Sequence, residues 1–254
     1  MTAQIIRADA TAGALMTLEM HLTELRSRLL RVFTCLAVNA LISIFLAPKV
    51  LELLKRPLGN VELQALSIEE PVFVLIKLTL VVASVLTIPV IVWEAANFLL
   101  PALTKPERKL LLSVLLVSPV LFCSGAFFAY AVMLPAMFKF FSSFGAGYAS
   151  LRPHMDSYVG MVGSSILILG LTFELPVVAI VLGHFQLITY RTILKYWRQA
   201  IVGSAALAAL VTPDPTAISM LLVMGALLTL YIFAAALLLF FQEIPRKLLA
   251  AESR

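Results

Sequence analysis

The sequence has few charged side chains. Lysine, arginine, aspartate and glutamate make up 13% of its 254 residues, about half of the roughly 25% that is typical of soluble domains. Apolar residues make up 61%, and the mean hydropathy is +1.02. This composition excludes an ordinary soluble domain. It predicts an all-α integral membrane protein, because a chain inside hydrocarbon must satisfy its own backbone hydrogen bonds.

Residues that could carry catalytic or metal chemistry are also scarce. The three histidines, His21, His154 and His184, lie far apart in the sequence, and the two cysteines, Cys35 and Cys123, lie within apolar runs. The sequence contains no G-x-x-x-x-G-K-[ST] nucleotide loop, no H-E-x-x-H and no G-x-S-x-G. We therefore expect no catalytic residue, metal, cofactor or disulfide, and nothing in the motifs supports an enzyme.

Six apolar runs are candidate membrane crossings. They cover approximately residues 29–47, 71–93, 110–133, 158–182, 199–211 and 217–241. The fifth has only 13 residues, fewer than the roughly 20 that a crossing needs, so it must thin the bilayer or lie behind its neighbours. We expect residues 1–254 to form a single membrane domain of six helices, with an amphipathic segment at about 1–28 and a short tail at about 242–254.

The basic residues predict the orientation of these crossings. With both termini on the cytoplasmic side, thirteen lysines and arginines face the cytoplasm and five face the other side, as the excess of positive charge in cytoplasmic loops requires. Lys77 lies within the second run, close enough to its outer end to extend its ammonium group to the interface. The basic residues form no stripe interleaved with aromatics, so we expect no nucleic-acid partner.

Two segments at the expected cytoplasmic face place a carboxylate just before basic residues. In HLTELRSRLL, Glu24 precedes Arg26 and is spaced to pair with Arg28 on a helix. In NFLLPALTKPERKLL, Glu107 precedes Arg108. The plainer interpretations are an amphipathic helix lying on the membrane surface and a helix cap. The alternative is that the two carboxylates hold a cationic peptide, and arginine would suit them through paired hydrogen bonds.

Glu174 is the one charged residue in the apolar run between Val159 and Leu182. Pro176 follows it and removes a backbone donor, which frees the carbonyl of Thr172 four residues earlier. One interpretation is a protonated acid satisfied inside the helix bundle. The other is a polar docking point or a proton-linked group, because acids within the membrane are rare and are usually functional.

Two loops on the expected outer side have structural signals. The segment PKVLELLKRPLGN predicts a short amphipathic helix that lies along the interface and ends at Pro57 and Gly59. In LVTPDPTAIS, Asp214 stands between two prolines and is typical of a turn former.

Six motifs in order resemble the TatC family, the multispanning receptor subunit of the twin-arginine protein translocase. They are HLTELRSRL before the first run, Pro57, FLLPALTKPERK after the second, AYAVMLP near Tyr130, TFELP in the fourth and TPDP before the sixth. The resemblance covers the chain from about Leu18 to Phe241. It implies six helices in a concave, glove-like bundle with both termini in the cytoplasm. The expected location is a bacterial inner membrane, with archaeal and thylakoid membranes as the alternatives.

The resemblance also implies a function and its residues. TatC-like proteins bind twin-arginine signal peptides and export folded proteins with TatA/TatB-type single-span subunits, driven by the proton motive force, in receptor complexes that contain several copies. The signal-binding positions would be Glu24, Leu25, Arg26, Phe98, Pro101, Glu107 and Arg108. Glu174, beside Pro176, would meet a polar residue of a single-span partner. The sixth run departs from many relatives, with Ala226 and Ile232 where they carry a proline and an acid.

Two other classes of protein remain open at this stage. A small-solute secondary transporter or channel subunit predicts a water-lined cavity with several polar groups inside the membrane, whereas this sequence offers essentially Glu174 and Lys77. A purely structural membrane scaffold predicts that neutralising Glu24 and Glu107 together leaves export unchanged.

Overall fold

A computed structural model describes the backbone of residues 2–59, 61–99, 105–145, 152–184, 188–212 and 217–252. Side chains are described for residues 19–20, 22–59, 61–98, 116–143, 152–183, 188–210, 212 and 217–239. Within these ranges the regular secondary structure is helical, and the only β-type pairing is an isolated bridge between Gln64 and His154. The expected all-α architecture is therefore confirmed.

Nine α-helices follow one another along the described chain. They are α1 (Thr2–Lys55), α2 (Glu70–Leu99), α3 (Lys105–Phe128), α4 (Leu134–Gly145), α5 (Met155–Thr172), α6 (Leu175–His184), α7 (Tyr190–Lys195), α8 (Trp197–Val211) and α9 (Ala217–Glu252). A 3₁₀ turn (Arg56–Leu58) follows α1, and a π-helical turn (Ala129–Met133) joins α3 to α4.

The first helix is longer than the sequence predicts. The amphipathic segment before the first crossing and the segment expected to form a separate outer helix are both parts of α1, which continues through Pro48 to Lys55. The separate interfacial helix was therefore a wrong prediction. Proline at that position costs one backbone hydrogen bond. The neighbouring apolar residues Ala47, Leu51 and Leu54 are buried in the main core, and their packing offsets that cost, so that the helix continues past Pro48.

Five described helical stretches are long and apolar enough to cross a membrane. They are Leu22–Leu58, Glu70–Phe98, Leu116–Ser143, Met155–Gly183 and Ala217–Leu239. The fifth predicted crossing corresponds to α8, which has 15 residues and falls below the length of a usual span. The third stretch extends ten residues beyond its predicted end at Met133, because the π-turn carries the helix into α4 without a break.

The prediction of a flaw beside Glu174 is confirmed. The fourth crossing is divided into α5 and α6 by a turn at Phe173 and Glu174, just before Pro176. Proline has no backbone N–H group to donate to the carbonyl four residues earlier, so the helix is interrupted there. The Glu174 carboxyl, which stands in the interruption, contacts α3.

The described helices pack around two main buried apolar clusters, beside a small third one formed by Val177 and Ile180 on α6. The larger joins α1, α2, α4 and α5 through residues such as Leu54, Leu78, Met137 and Tyr158, and the second joins α5, α8 and α9. Much of α1 outside these contacts is apolar and exposed, as at Phe45, which is 79% exposed. A membrane protein presents such a surface to lipid, where exposed apolar side chains carry no penalty.

The extension of Lys77 to the interface stays a prediction, and its ammonium group has a specific partner. Its ammonium donates to Asp156 on α5 at 2.5 Å. Two turns earlier on α2, the buried Glu70 accepts the backbone N–H groups of Leu66 and Asp156. The two side chains therefore tie the start of α2, the loop before it and the start of α5 together.

Two glycines allow α3 and α5 to approach closely. A Cβ at Gly125 would lie 2.6 Å from the carbonyl oxygen of Leu169, and one at Gly170 would lie 2.5 Å from the ring of Phe122. Small residues at helix contacts are a common device of membrane proteins, since lipid supplies no hydrophobic force to drive helices together.

We expect Gly125→Ala to lower the thermal stability of the purified protein, because the new methyl group meets a backbone oxygen that cannot move alone. Overpacking of this kind typically costs about 1–3 kcal/mol. The matched control is Gly225→Ala on α9, where nothing lies within 4 Å of the added Cβ. Equal melting temperatures for the two variants in detergent would contradict this account of the α3–α5 contact.

Candidate functional site

A cluster of two acids and two arginines joins α1 to α2. Arg28 donates from Nη2 to Glu24 Oε1 on its own helix and from Nη1 to Glu94 Oε2 on α2, at 3.2 Å. Arg31 donates from Nη1 to both oxygens of Glu94, at 2.9 and 3.0 Å. The predicted pairing of Glu24 with Arg28 is confirmed, and Arg28 forms a bridge between two carboxylates.

The positions of these residues follow from helix geometry. Residues three and four apart share one face of a helix, so Glu24, Arg28 and Arg31 lie along one side of α1. That side faces α2, where Glu94 stands in the last turns. Further along the same pair of helices, Asn39 donates to Thr87 at 3.0 Å, so polar contacts hold α1 against α2 at two levels.

The cluster consists of Glu24, Arg28, Arg31 and Glu94, and its four side chains differ in their exposure to solvent. The side chains of Arg28 and Glu94 are 14% and 11% exposed, whereas those of Glu24 and Arg31 are 33% and 58% exposed. An ion pair held away from water is stronger than one on the surface but costs more to break by removing one partner. The cluster therefore has a fixed inner pair and two members that solvent and ligands can reach.

Glu94 was not among the residues singled out from the sequence. It stands one residue beyond the predicted end of the second crossing, where a lone acid is expected to face water. The available signal was its place at the end of an apolar run without a basic neighbour in the chain. Its partners Arg31 and Arg28 are 63 and 66 residues away in the sequence, so no local sequence pattern predicts these contacts.

The other predicted signal-binding residues are only partly placed by the structure. Leu25 and Arg26 are exposed on α1 beside Glu24, and Phe98 is half-buried at the end of α2. Pro101 lies outside the described residues, as do the side chains of Glu107 and Arg108, whose backbone belongs to the first turn of α3. The closeness of Glu24 to Glu107 thus stays a prediction.

A second polar site lies inside the membrane-spanning region, at Glu174. Its Oε2 accepts a hydrogen bond from the hydroxyl of Ser118 on α3 at 2.7 Å. Its Oε1 is buried and has no hydrogen-bond partner among the side chains that the structure describes. Phe173 packs on Phe128 with ring centroids 5.9 Å apart, which anchors the turn that carries Glu174.

This arrangement leaves one carboxyl oxygen available for a further hydrogen bond. A polar atom buried without a partner costs roughly 1–3 kcal/mol. An interhelical hydrogen bond from another chain would remove that cost. Because Oε1 is buried, a polar group on a neighbouring membrane helix can reach it only if the Glu174 side chain turns outward.

The two predicted loop residues are placed differently. Pro57 lies in the 3₁₀ turn (Arg56–Leu58) that ends α1, with Gly59 after it at a positive φ of 62°, so the predicted stop at Pro57 and Gly59 is confirmed. Asp214 lies outside the described residues.

Ile232, which stands where many relatives carry an acid in the sixth run, is 69% exposed on α9.

Comparison with known proteins gives the same assignment as the motifs. The family model described as TatC, Sec-independent protein translocase protein, matches residues 20–243. The chain belongs to the TatC family. Among its relatives, the TatC proteins of Synechocystis sp. and Aquifex aeolicus are each 34% identical, over 85% and 78% of this chain and 85% of each relative.

The TatC fold is also shown by a solved structure. A crystal structure of a twin-arginine translocase receptor, TatC, in the detergent DDM superposes with a TM-score of 0.77 at 33% identity, covering 86% of this chain and 99% of that one. The predicted family, helical membrane fold and role in Sec-independent protein transport are thereby confirmed. The chain is a multi-pass membrane protein of a transport family that is not enzymatic. This family assignment is preferred over the solute-transporter and scaffold alternatives.

Proposed function

We propose that this TatC-family chain binds the paired arginines of a twin-arginine signal peptide at the exposed end of α1 and α2. The observation that carries this proposal is the contact between Glu24 and Arg28. It places a guanidinium on the Glu24 carboxylate, in a site that is one-third exposed. A peptide arginine needs the same geometry and the same charge.

The remaining signal-binding residues are proposed from the family motif. Glu107 supplies the second carboxylate, and Arg108 and Pro101 shape the segment around it. On the other side, Leu25 and Arg26 flank Glu24, and Phe98 offers an aromatic surface for the apolar part of the signal. Two carboxylates for two arginines account for recognition of the pair rather than of a single cation.

A second proposed contact is with single-span subunits of the TatA/TatB type, at Glu174. Its support is the buried Oε1 beside a proline-induced turn, with Ser118 holding the other oxygen. Pro176, which is itself buried, follows the turn that carries Glu174. We further propose that several copies of the chain assemble in the receptor complex, and that the proton motive force drives export of folded cargo.

The proposed orientation places both termini in the cytoplasm of a cell whose inner membrane holds the protein. It follows from the thirteen to five division of basic residues and requires an even number of crossings. With α8 counted as a short crossing beside α9, against which it packs, the chain forms a single domain of six membrane helices.

Site-specific photocrosslinking tests the proposed signal-peptide site. We expect a photoreactive benzoylphenylalanine at position 98 or 25 to crosslink a twin-arginine signal peptide in native membranes, and an excess of unlabelled peptide to compete. Position 45, where Phe45 is exposed on the apolar side of α1, is the matched control. Crosslinking at position 45 as strong as at position 98 would refute the location of the site.

A further inference from the structure

Glu24, the proposed acceptor of a peptide arginine, is occupied by an arginine of the same chain. We propose that Arg28 is a resident substitute for the signal peptide. It holds Glu24 when no signal is bound, and it moves fully onto Glu94 when a peptide arginine takes Glu24. This inference rests on the proposed function, and it adds a competitor and an exchange step to the same site.

The contacts show that such an exchange needs little movement. Arg28 already touches both acids, through Nη2 to Glu24 and through Nη1 to Glu94 at 3.2 Å. A guanidinium carries five N–H donors, and the Nε–H of Arg28 is buried without a partner among the described side chains. Arg28 can therefore lose its contact with Glu24 and gain a second contact with Glu94 by a change of side-chain rotamer.

Burial determines which charge leaves the cluster. A displaced Arg28 would be costly if it were left unpaired, because its side chain is only 14% exposed. Glu94 is its available partner, and Glu94 is shared with Arg31, whose side chain is 58% exposed. An exposed ion pair is worth little, so Arg31 can be released to water. Peptide binding would thus move the Arg28 guanidinium from Glu24 to Glu94, and the Arg31 guanidinium from Glu94 into solvent.

Competition with Arg28 raises the intrinsic affinity that any peptide cation needs in order to occupy Glu24. A ligand must replace a guanidinium that bonds one carboxylate while touching a second. Another guanidinium can match those directional hydrogen bonds, whereas a lysine ammonium is a compact and strongly hydrated charge that cannot. Arg28 lowers the apparent affinity of both cations by the same factor, so a weak cation fails to occupy the site, while the ratio of the two affinities is determined by Glu24.

The test measures the affinity of a labelled twin-arginine peptide, and of its twin-lysine version, for the purified full-length protein. We expect Arg28→Gln to bind the twin-arginine peptide about fivefold more tightly, which corresponds to Arg28 leaving Glu24 about a fifth of the time in the wild type. The same variant should bind the twin-lysine peptide more tightly by the same factor, because the fraction of protein in which Arg28 has left Glu24 does not depend on the ligand. Glu94→Gln should weaken binding by about the same factor, because Arg28 then has no second acceptor.

The double variant Arg28→Gln/Glu94→Gln separates exchange from bulk charge. With Arg28 absent, loss of Glu94 should have no further effect, so the double variant should bind like Arg28→Gln. Matched controls for one lost cation and one lost acid are Lys195→Gln on α7 and Glu19→Gln on α1, both exposed residues. They should leave the affinity unchanged within twofold.

Two results would overturn the exchange. One is weaker binding by Arg28→Gln that keeps the wild-type melting temperature, and the other is an equal loss from Glu94→Gln with and without Arg28. If Arg28→Gln unfolds, Arg28→Lys takes its place, and its affinity must exceed that of the wild type. Failure of the proposed function is distinct, since Glu24→Gln would then leave the affinity unchanged even in the Arg28→Gln background.

Discussion

Export of a folded reporter with a twin-arginine signal is expected to stop when Glu24→Gln and Glu107→Gln are combined. Each change removes hydrogen bonds from a charged acceptor to a peptide guanidinium, and such bonds contribute about 1.5–3 kcal/mol each. A single variant should therefore bind the peptide about tenfold to a hundredfold more weakly, and the double variant should lose detectable binding. Peptide affinity and the exported fraction of the reporter are the two measurements.

The comparison with a twin-lysine peptide decides what the two acids recognise. Glutamine keeps the shape of the side chain and loses the charge and the paired acceptor geometry. We therefore expect a larger loss for the arginine peptide than for the lysine peptide. Equal losses would indicate bulk charge instead of paired hydrogen bonds. Glu19→Gln, which removes an exposed acid from the same helix, should leave export at the wild-type level.

Glu174→Ala is expected to reduce co-purification of the single-span partner while the protein remains inserted in the membrane. The substitution removes the carboxyl whose buried Oε1 atom has no hydrogen-bond partner in the part of the chain that the structure describes. An interhelical hydrogen bond in a membrane contributes about 0.6–2 kcal/mol, which corresponds to a loss of about threefold to thirtyfold in partner affinity. Quantitative immunoblotting of the partner after affinity purification in mild detergent measures it.

Two further variants separate a hydrogen bond from a proton-linked role. Glu174→Gln keeps a polar group at the same place, so it should retain most of the partner if docking alone matters. Ser118→Ala leaves the acid but removes the hydroxyl 2.7 Å from Oε2, so we expect a smaller loss than for Glu174→Ala. Ser164→Ala on α5 is the control, because its hydroxyl bonds only the backbone of its own helix at Met161. Full recovery of the partner with Glu174→Ala would refute docking at this position.

Local signals predicted several parts of the structure correctly. The four-residue spacing of Glu24 and Arg28 predicted their contact, since residues four apart meet on a helix. Pro176 predicted the turn at Phe173 and Glu174, because a missing backbone donor acts on the preceding turn. Pro48 does not end its helix, because it lies inside α1, where surrounding core contacts offset the lost hydrogen bond.

The composition and the order of the motifs determined that this chain is a helical membrane protein of the TatC family, with acids at Glu24, Glu107 and Glu174. These properties depend on which residues are present and on short spacings, so the sequence contains them directly. Only the tertiary structure decided which charges meet. Glu94 joins Arg28 and Arg31 because α2 packs antiparallel beside α1, and Glu174 meets Ser118, 56 residues away, because α3 lies against the broken fourth crossing. No local pattern specifies such partners, since they arise from the packing of helices that are distant in the chain.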